Sequence, residues 1–507
     1  CRGDRVIDRS IRHVAIVLMV CFVMLFVQLN RVQVFDAEAL RENPANTRTI
    51  QRDFGRNRGL IFTSDFEVVA RSDEVDGAFE HLRVYPHGDL YAHTVGYLSF
   101  NIGAEGVERS FNDELTGRTP GLQLSGLSDL LANTTPTGDL VLTLDHELQL
   151  AARDALGDQR GSVVALDPRS GAVLAMWSWP AFDPNLLSAH DGVAVNASFS
   201  ELLSDEQNPL RGGAFRDVYF PGSTFKIVTA SAGLETGVAN LSSPVFPVTN
   251  DYTPPLTSRP IANFANSACG GNLLEMIRVS CNGGFARLGA EQIGPAAMID
   301  EAQGFGFNLV PPFDVPGAVA STFPTDYGEQ VRSPSVEIPA GVFENTPFLA
   351  QAAIGQNDVA ATPLQMALVA AAVANDGQIM EPHVVAEVRN VAGDPVSTPN
   401  PRVWLSPLTT SNAAEMRTAM INSAANGTGI RALVPGIEVG TKTGTAQLGT
   451  EPARSHAWTI AFAGPPGDDP ELVVAVLVEA DPDRPDQTGG RAAAPIVAEI
   501  IATHFAS

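Results

Sequence analysis

Lysine is almost missing from this chain. Of 32 basic residues only Lys226 and Lys442 are lysines, and all the others are arginine. Arginine stays protonated in proteins, whereas a desolvated lysine can lose its proton and act as a base. The two survivors therefore mark positions where positive charge alone does not suffice. Basic residues as a class are also outnumbered: 57 acidic residues leave a formal charge of −25. That balance excludes nucleic acid as a partner, because phosphate binding needs a basic patch. The nine histidines do not cluster, and His146-Glu147 is not followed by a histidine at the metalloprotease spacing. Neither a metal nor a cofactor is expected, and no internal repeat is visible.

What is present argues for a folded, anchored protein. A hydrophobic content of 44% with 18% charged residues is ordinary for globular chains and argues against extensive disorder. A length of 507 residues allows roughly three folding units of about 150 residues each. Residues 14–27 (VAIVLMVCFVMLFV) form an unbroken apolar run, which Ile11 and Leu29 extend almost to bilayer-spanning length. Arg2, Arg5, Arg9 and Arg12 precede it, while Asp36 and Glu38 lie beyond Arg31. This asymmetry places the N-terminus in the cytoplasm and everything after residue 30 outside. A cleaved signal peptide is the alternative, but Gln28-Leu29-Asn30-Arg31 lacks a small-x-small cleavage site. The chain opens on Cys1 rather than Met, and its true start is left open. Of the four cysteines, Cys269 and Cys281 fall in the exported part; they form either a disulfide or two free buried thiols.

Three segments are expected: an anchor with its cytoplasmic stub over 1–30, a mixed α+β pedestal over 31–139, and a catalytic α/β domain over 140–507. In the pedestal, Arg58-Gly59-Leu60-Ile61 and Gly106-Val107-Glu108-Arg109 read as short strands and turns, and Thr134–Gly138 reads as a linker. Further on, Leu140–Leu144 has strand character and His146–Leu156 has helical spacing. Ser162–Leu166 and Ala172–Trp177 flank a hairpin turn at Asp167-Pro168-Arg169-Ser170-Gly171. Ala457–Ala463 and Leu472–Glu479 form a second antiparallel pair, and Ala494–Phe505 is a closing helix. Strands at both ends around a helix-rich middle predict one sheet that needs both ends of the domain. The proline-rich stretch 309–348 reads as a long surface excursion.

Each lysine sits in a motif that can use it. Ser223-Thr224-Phe225-Lys226 opens an apolar helical run that ends before Gly237, so Ser223 is expected in the first turn. Spacing of i to i+3 puts Lys226 on the same face, in reach of the serine hydroxyl. The helix N-terminus disfavours a protonated lysine and offers N–H groups to an oxyanion. Ser280-Cys281-Asn282 supplies a hydroxyl for proton relay and an amide for orientation, although an ordinary loop also explains it. Glu438–Ala446 (EVGTKTGTA) reads as a strand with β-branched residues at every second position. Lys442 and Gly444 then face the other way unless the strand twists. Gly444 would let a substrate backbone lie close, and Lys442 suits a carboxylate.

Ser-x-x-Lys, Ser-x-Asn and Lys-Thr-Gly in this order resemble the penicillin-binding and serine β-lactamase set. Gly161–Pro168, Asp183-Pro184-Asn185, Gly355-Gln356, Thr362–Ala367 and Gly489-Gly490 resemble the transpeptidase domain of class B penicillin-binding proteins. Arg58–Ile61 and Gly106-x-Glu108 resemble that class's non-catalytic module, and the likeness is greatest to the short actinobacterial penicillin-binding protein A group. Arg211–Ala214 departs from the family's usual Asn-Arg-Ala. The resemblance implies a transpeptidase-like fold with an antiparallel sheet flanked by helices. It also implies D,D-transpeptidation of peptidoglycan, inhibited by β-lactams. Ser223 would be the nucleophile and Lys226 its base, with Ser280 and Asn282 shuttling protons and positioning groups. The N–H groups of Ser223 and Thr445 would form the oxyanion hole. Lys442, Thr443 and Thr445, beside Gly444, would hold the terminal carboxylate. Implied partners are stem peptides, β-lactams, the cytoplasmic membrane, a glycosyltransferase and other cell-wall machinery. A D,D-carboxypeptidase and a β-lactam-binding receptor or division scaffold remain alternatives. A class A β-lactamase does not fit, because no Glu-x-x-x-Asn segment falls between Asn282 and Lys442.

Overall fold

The computed structural model describes residues 4–35, 51, 53–125, 137–331, 341–450, 454–485 and 487–506. The apolar run lies in helix Asp4–Asn30, and Ile11–Gln33 is long and apolar enough to cross a membrane, with none of its apolar window buried in the molecule. Arg2, Asp36 and Glu38 lie outside the described residues, as do Thr134–Pro136 of the expected linker.

A five-stranded antiparallel sheet carries the larger part of the molecule. Its order is Glu438–Gln447, Ser455–Gly464, Leu472–Val478, Gly161–Leu166 and Val173–Trp179. The late strand Leu472–Val478 pairs with the early strand Gly161–Leu166, Val476 opposite Val163, so the sheet closes only when both ends of the segment are present. Every residue of these two strands is buried. They therefore read as continuous apolar runs rather than alternating ones, as expected where helices cover both faces. Helices Pro363–Ala374, His146–Leu156 and Ala494–Ala506 provide the cover. The hairpin turn forms where the sequence predicts it. Gly171 closes it at φ +82°, and a Cβ there would stand 2.3 Å from the Glu381 carbonyl.

The segment before residue 140 is tied into the same body. A second sheet runs Pro395–Ser397, Val385–Arg389, Asp139–Leu142, Ile61–Phe62, Val68–Glu74, His81–Val84. Residues 139 and 140 both lie within the strand Asp139–Leu142, which pairs with strands from either side of that position. Gly106–Ser110 is a short helix rather than a strand or turn. Its Glu108 is drawn inward by two arginines: the Arg58 guanidinium donates to Glu108 Oε2 at 3.0 Å, and Arg83 Nε pairs with Oε1. A surface excursion over 309–348 is not what the described part of that stretch shows. Residues 332–340 lie outside the description, but Val315, Phe323 and Tyr327 are buried. Phe323 stacks on Phe225 with ring centroids 5.4 Å apart. Prolines suppress a regular period there without preventing the aromatic rings from packing.

Candidate active site

Helix Lys226–Glu235 has nine of its ten residues buried and so no polar face. A 3₁₀ turn, Gly222–Thr224, precedes it and carries Ser223 half-exposed to a cleft. The turn is wedged in place. Gly222 N–H donates to the Gly355 carbonyl at 3.0 Å, and Thr224 Oγ1 donates to the Pro221 carbonyl at 2.8 Å. On its other side lies the strand Glu438–Gln447: a Cβ on Gly444 would sit 2.8 Å from the Pro221 carbonyl and 3.0 Å from Thr224 Cγ2. Gly444 is thus required by the serine turn, which itself packs against it. The approach brings Ser223 beside Thr445.

Both lysines are fully buried beneath the cleft floor, yet among the described residues no carboxylate joins them. Lys226 Nζ donates to the Ser280 carbonyl and to Asn282 Oδ1, each at 2.7 Å, with Ser280 Oγ at 3.4 Å. Lys442 Nζ donates to Ser280 Oγ at 2.7 Å and to the Thr443 carbonyl at 2.8 Å. Ser280 Oγ therefore bridges the two. Burial drives Lys226 well below the ordinary lysine range, and the neighbouring Lys442 charge lowers it further. Burial alone brings Lys442 down to about 7. A neutral amine has two N–H donors and one lone pair. In that form the Ser280 carbonyl and Asn282 Oδ1 would take both donors and leave the lone pair free for a proton. Ser223 Oγ itself has no protein hydrogen-bond partner among the described residues, so the direct Ser223–Lys226 bond suggested by the spacing is not made here.

The Ser280 loop is held by covalent and local means. Ser280 ends helix Leu273–Val279 in the left-handed region at φ +59°, which costs a non-glycine residue about 1–2 kcal/mol. Next to it Cys281 is disulfide-bonded to Cys269, with Cα atoms 5.7 Å apart, which decides between the two readings of that pair. Asn282 Nδ2 donates to the Ala262 carbonyl at 3.0 Å, so the amide is oriented from both ends.

Ser223, Ser280, Asn282, Thr443 and Thr445 line one cleft of about 720 Å³. Lys226 and Lys442 lie behind its wall and reach it through Ser280. Thr443 Oγ1 donates to Thr428 Oγ1 at 2.6 Å, adding a third threonine to the row. Thr428, Arg431 and Arg491 also line the cleft, and no sequence motif singles them out; only the adjacent Gly489-Gly490 did. Gly490 lies against Thr428, where a Cβ would stand 2.7 Å from its carbonyl. Among the described residues no group of three or more His, Cys, Asp or Glu side chains could hold a metal ion.

Residues 161–502 match the penicillin binding protein transpeptidase domain, and residues 58–141 match the penicillin binding protein A dimerisation domain. The chain belongs to the penicillin-binding protein transpeptidase family. It is 37% identical over 509 residues to a peptidoglycan D,D-transpeptidase PbpA of Mycolicibacterium smegmatis, covering 98% of each chain. To the protein of the same name from Mycobacterium tuberculosis it is 33% identical, covering 97% of this chain and 98% of that one. The solved M. tuberculosis penicillin-binding protein A, as a ceftriaxone acyl-enzyme complex, superposes with a TM-score of 0.79 at 31% identity, over 89% of this chain and 99% of that one. Its penicillin G acyl-enzyme complex gives 0.78 at 32% identity, over 89% and 100%.

Proposed function

We propose that this penicillin-binding protein is a serine D,D-transpeptidase that cross-links peptidoglycan stem peptides, with Ser223 as the acylated residue and Lys226 as its base. The observation that carries the reading is a fully buried lysine with no carboxylate partner among the described residues, one helical turn from a serine that faces the cleft. Ser223 Oγ attacks the carbonyl of the penultimate D-alanine, and its proton passes to the Lys226 lone pair. Ser280 Oγ, in contact with both lysines, carries that proton on to the departing D-alanine nitrogen. The Ser223 and Thr445 N–H groups face the developing oxyanion. Thr443 and Thr445 receive the terminal carboxylate, and Lys442 supports them through Ser280 and the Thr443 backbone. The amine of a neighbouring stem peptide then attacks the ester, and Ser223 regains its proton. β-Lactams acylate the same serine.

The placement in the cell is part of the same reading. Residues 1–30 anchor the chain in the cytoplasmic membrane with the catalytic part outside, 31–139 form a non-catalytic pedestal, and 140–507 the transpeptidase. A glycosyltransferase supplies the glycan strands that carry the stem peptides. Fluorescent penicillin tests the chemistry: a stable adduct on the Ser223 peptide is expected, with none in Ser223→Ala. Rapid release of the label, or labelling elsewhere, would contradict it.

A further inference from the structure

The cleft is electrostatically unlike the rest of the chain. The molecule carries a formal charge of −25, yet no aspartate or glutamate is among the described residues that line the cleft. The ionisable side chains on its wall are Arg431 and Arg491. Both are exposed to it, and neither makes an ion pair with a described residue. Elsewhere arginines are commonly paired with carboxylates, as Arg211 is with Asp217, Arg216 with Glu105 and Arg287 with Glu291. The two cleft arginines sit on short helical segments, Ile430–Ala432 and Gly489–Ala493, which pack against each other, with Gly490 against Thr428. Along the strand Glu438–Gln447 the serine turn packs at Gly444. Thr443 and then Thr428 lead from there to the arginines, and Gln447 marks the opposite end.

We propose that Arg431 and Arg491 form a second anion subsite, beyond the threonine row, that selects acyl acceptors carrying an additional carboxylate. The inference rests on the transpeptidase reading above. With the terminal carboxylate of the donor on Thr443 and Thr445, the acyl part extends from Ser223 towards Gln447. The arginine end is then filled first by the leaving D-alanine and, once that departs, by the incoming amine. In the transfer step the acceptor nitrogen bonds to the ester carbon and the bond to Ser223 Oγ breaks. The amine loses one proton, and Ser223 Oγ takes one back. A carboxylate held by two planar guanidinium groups would orient that amine. In a wall free of acidic side chains the guanidinium charge is not cancelled locally, so the cleft concentrates anions despite the net negative charge.

The test is acyl transfer by the full chain in detergent from one N-acyl-D-alanyl thioester to D-glutamate or to D-glutamine. These acceptors differ in one carboxylate replaced by its neutral isostere. We expect the wild type to favour D-glutamate by about tenfold, equivalent to ~1.4 kcal/mol. In Arg431→Gln/Arg491→Gln the ratio should fall to about one. Because the donor is common to both arms, a general loss of activity cancels in the ratio, and a fluorescent penicillin adduct confirms that the variant's site is assembled. Arg402→Gln removes the same charge from an exposed arginine outside the cleft and should keep the preference. A wild type without preference, or a double variant that retains it, would overturn the subsite. Absence of any penicillin adduct in the wild type would instead overturn the transpeptidase reading.

Discussion

Among the described residues, two pairs of arginine or lysine side chains are buried, and they have opposite fates. In the pedestal, Arg58 and Arg83 enclose Glu108, with Arg58 also donating to Asn112 Oδ1 at 2.8 Å. Burial by itself would raise Glu108, but the two guanidinium groups more than reverse this and hold it below the usual carboxylate range. In the catalytic domain, Lys226 and Lys442 are just as buried, but their hydrogen bonds to described residues go to carbonyl, amide and hydroxyl oxygens, and Lys226 Nζ also lies over the Phe285 ring. One charge is neutralised by a partner and becomes a strut. The other pair meets no described carboxylate, and burial pushes both lysines below the ordinary lysine range, which suits the proposed base. The difference lies in the missing carboxylate and in the choice of lysine, since arginine cannot deprotonate.

The largest expected effect comes from exchanging the two chemistries. Lys226→Arg puts a permanently charged guanidinium, which cannot take the serine proton, in place of the amine, so the rate of penicillin acylation should drop by about 10²–10⁴-fold. Arg58→Lys in the pedestal should leave acylation of the folded protein near wild type. Equal losses in both variants would erase the distinction. Glu108→Gln removes the acid that neutralises the strut and should cost about 3–5 kcal/mol, read as a lower denaturant midpoint. Because Glu108 is depressed in the folded state, the stability it confers is present above the unfolded carboxylate value of about 4.3 and is lost as pH falls through the folded one. The variant should therefore lose that acid-dependent slope.

Reducing the Cys269–Cys281 bond should slow acylation by roughly tenfold without unfolding the domain, because Ser280 and Asn282 are placed by it and small displacements cost rate. An unchanged rate in Cys269→Ser would restrict the bond to stability. A separate, pH-dependent effect on stability concerns Lys442, whose folded value near 7 lies below its unfolded value of about 10.4. Unfolding takes up a proton in that window, so wild-type stability should rise with pH from about 7 to 10. Lys442→Met should lack this contribution, as seen by comparing thermal midpoints across that range. Lys442→Arg, mild if the side chain held substrate directly, should be harmful instead, since a guanidinium must enter a fully buried slot.

Much of this was legible in the sequence because it is local. Periodicity and turn chemistry located His146–Leu156, the hairpin at Gly171 and the strand carrying Lys442, and the lysine-bearing motifs located the residues that meet around Ser280. What escaped depends on contacts between distant segments. The packing of Gly444 on the serine turn, of Phe323 on Phe225, and of the segment Ile430–Ala432 on Gly489–Ala493 leaves no pattern in any short window. The pairing of Val385–Arg389 with Asp139–Leu142 likewise joins residues more than two hundred positions apart, and alternation within either strand cannot announce it.

The scarcity of lysine makes the central claim directly measurable. Labelling the full chain with lysine enriched in ¹³C at Cε gives two side-chain resonances, assigned by comparison with Lys442→Met. Following both through a pH titration should show Lys226 and Lys442 losing their protons well below the ordinary lysine value of about 10.4. A Lys226 resonance that stays in the protonated position up to that value would contradict the account.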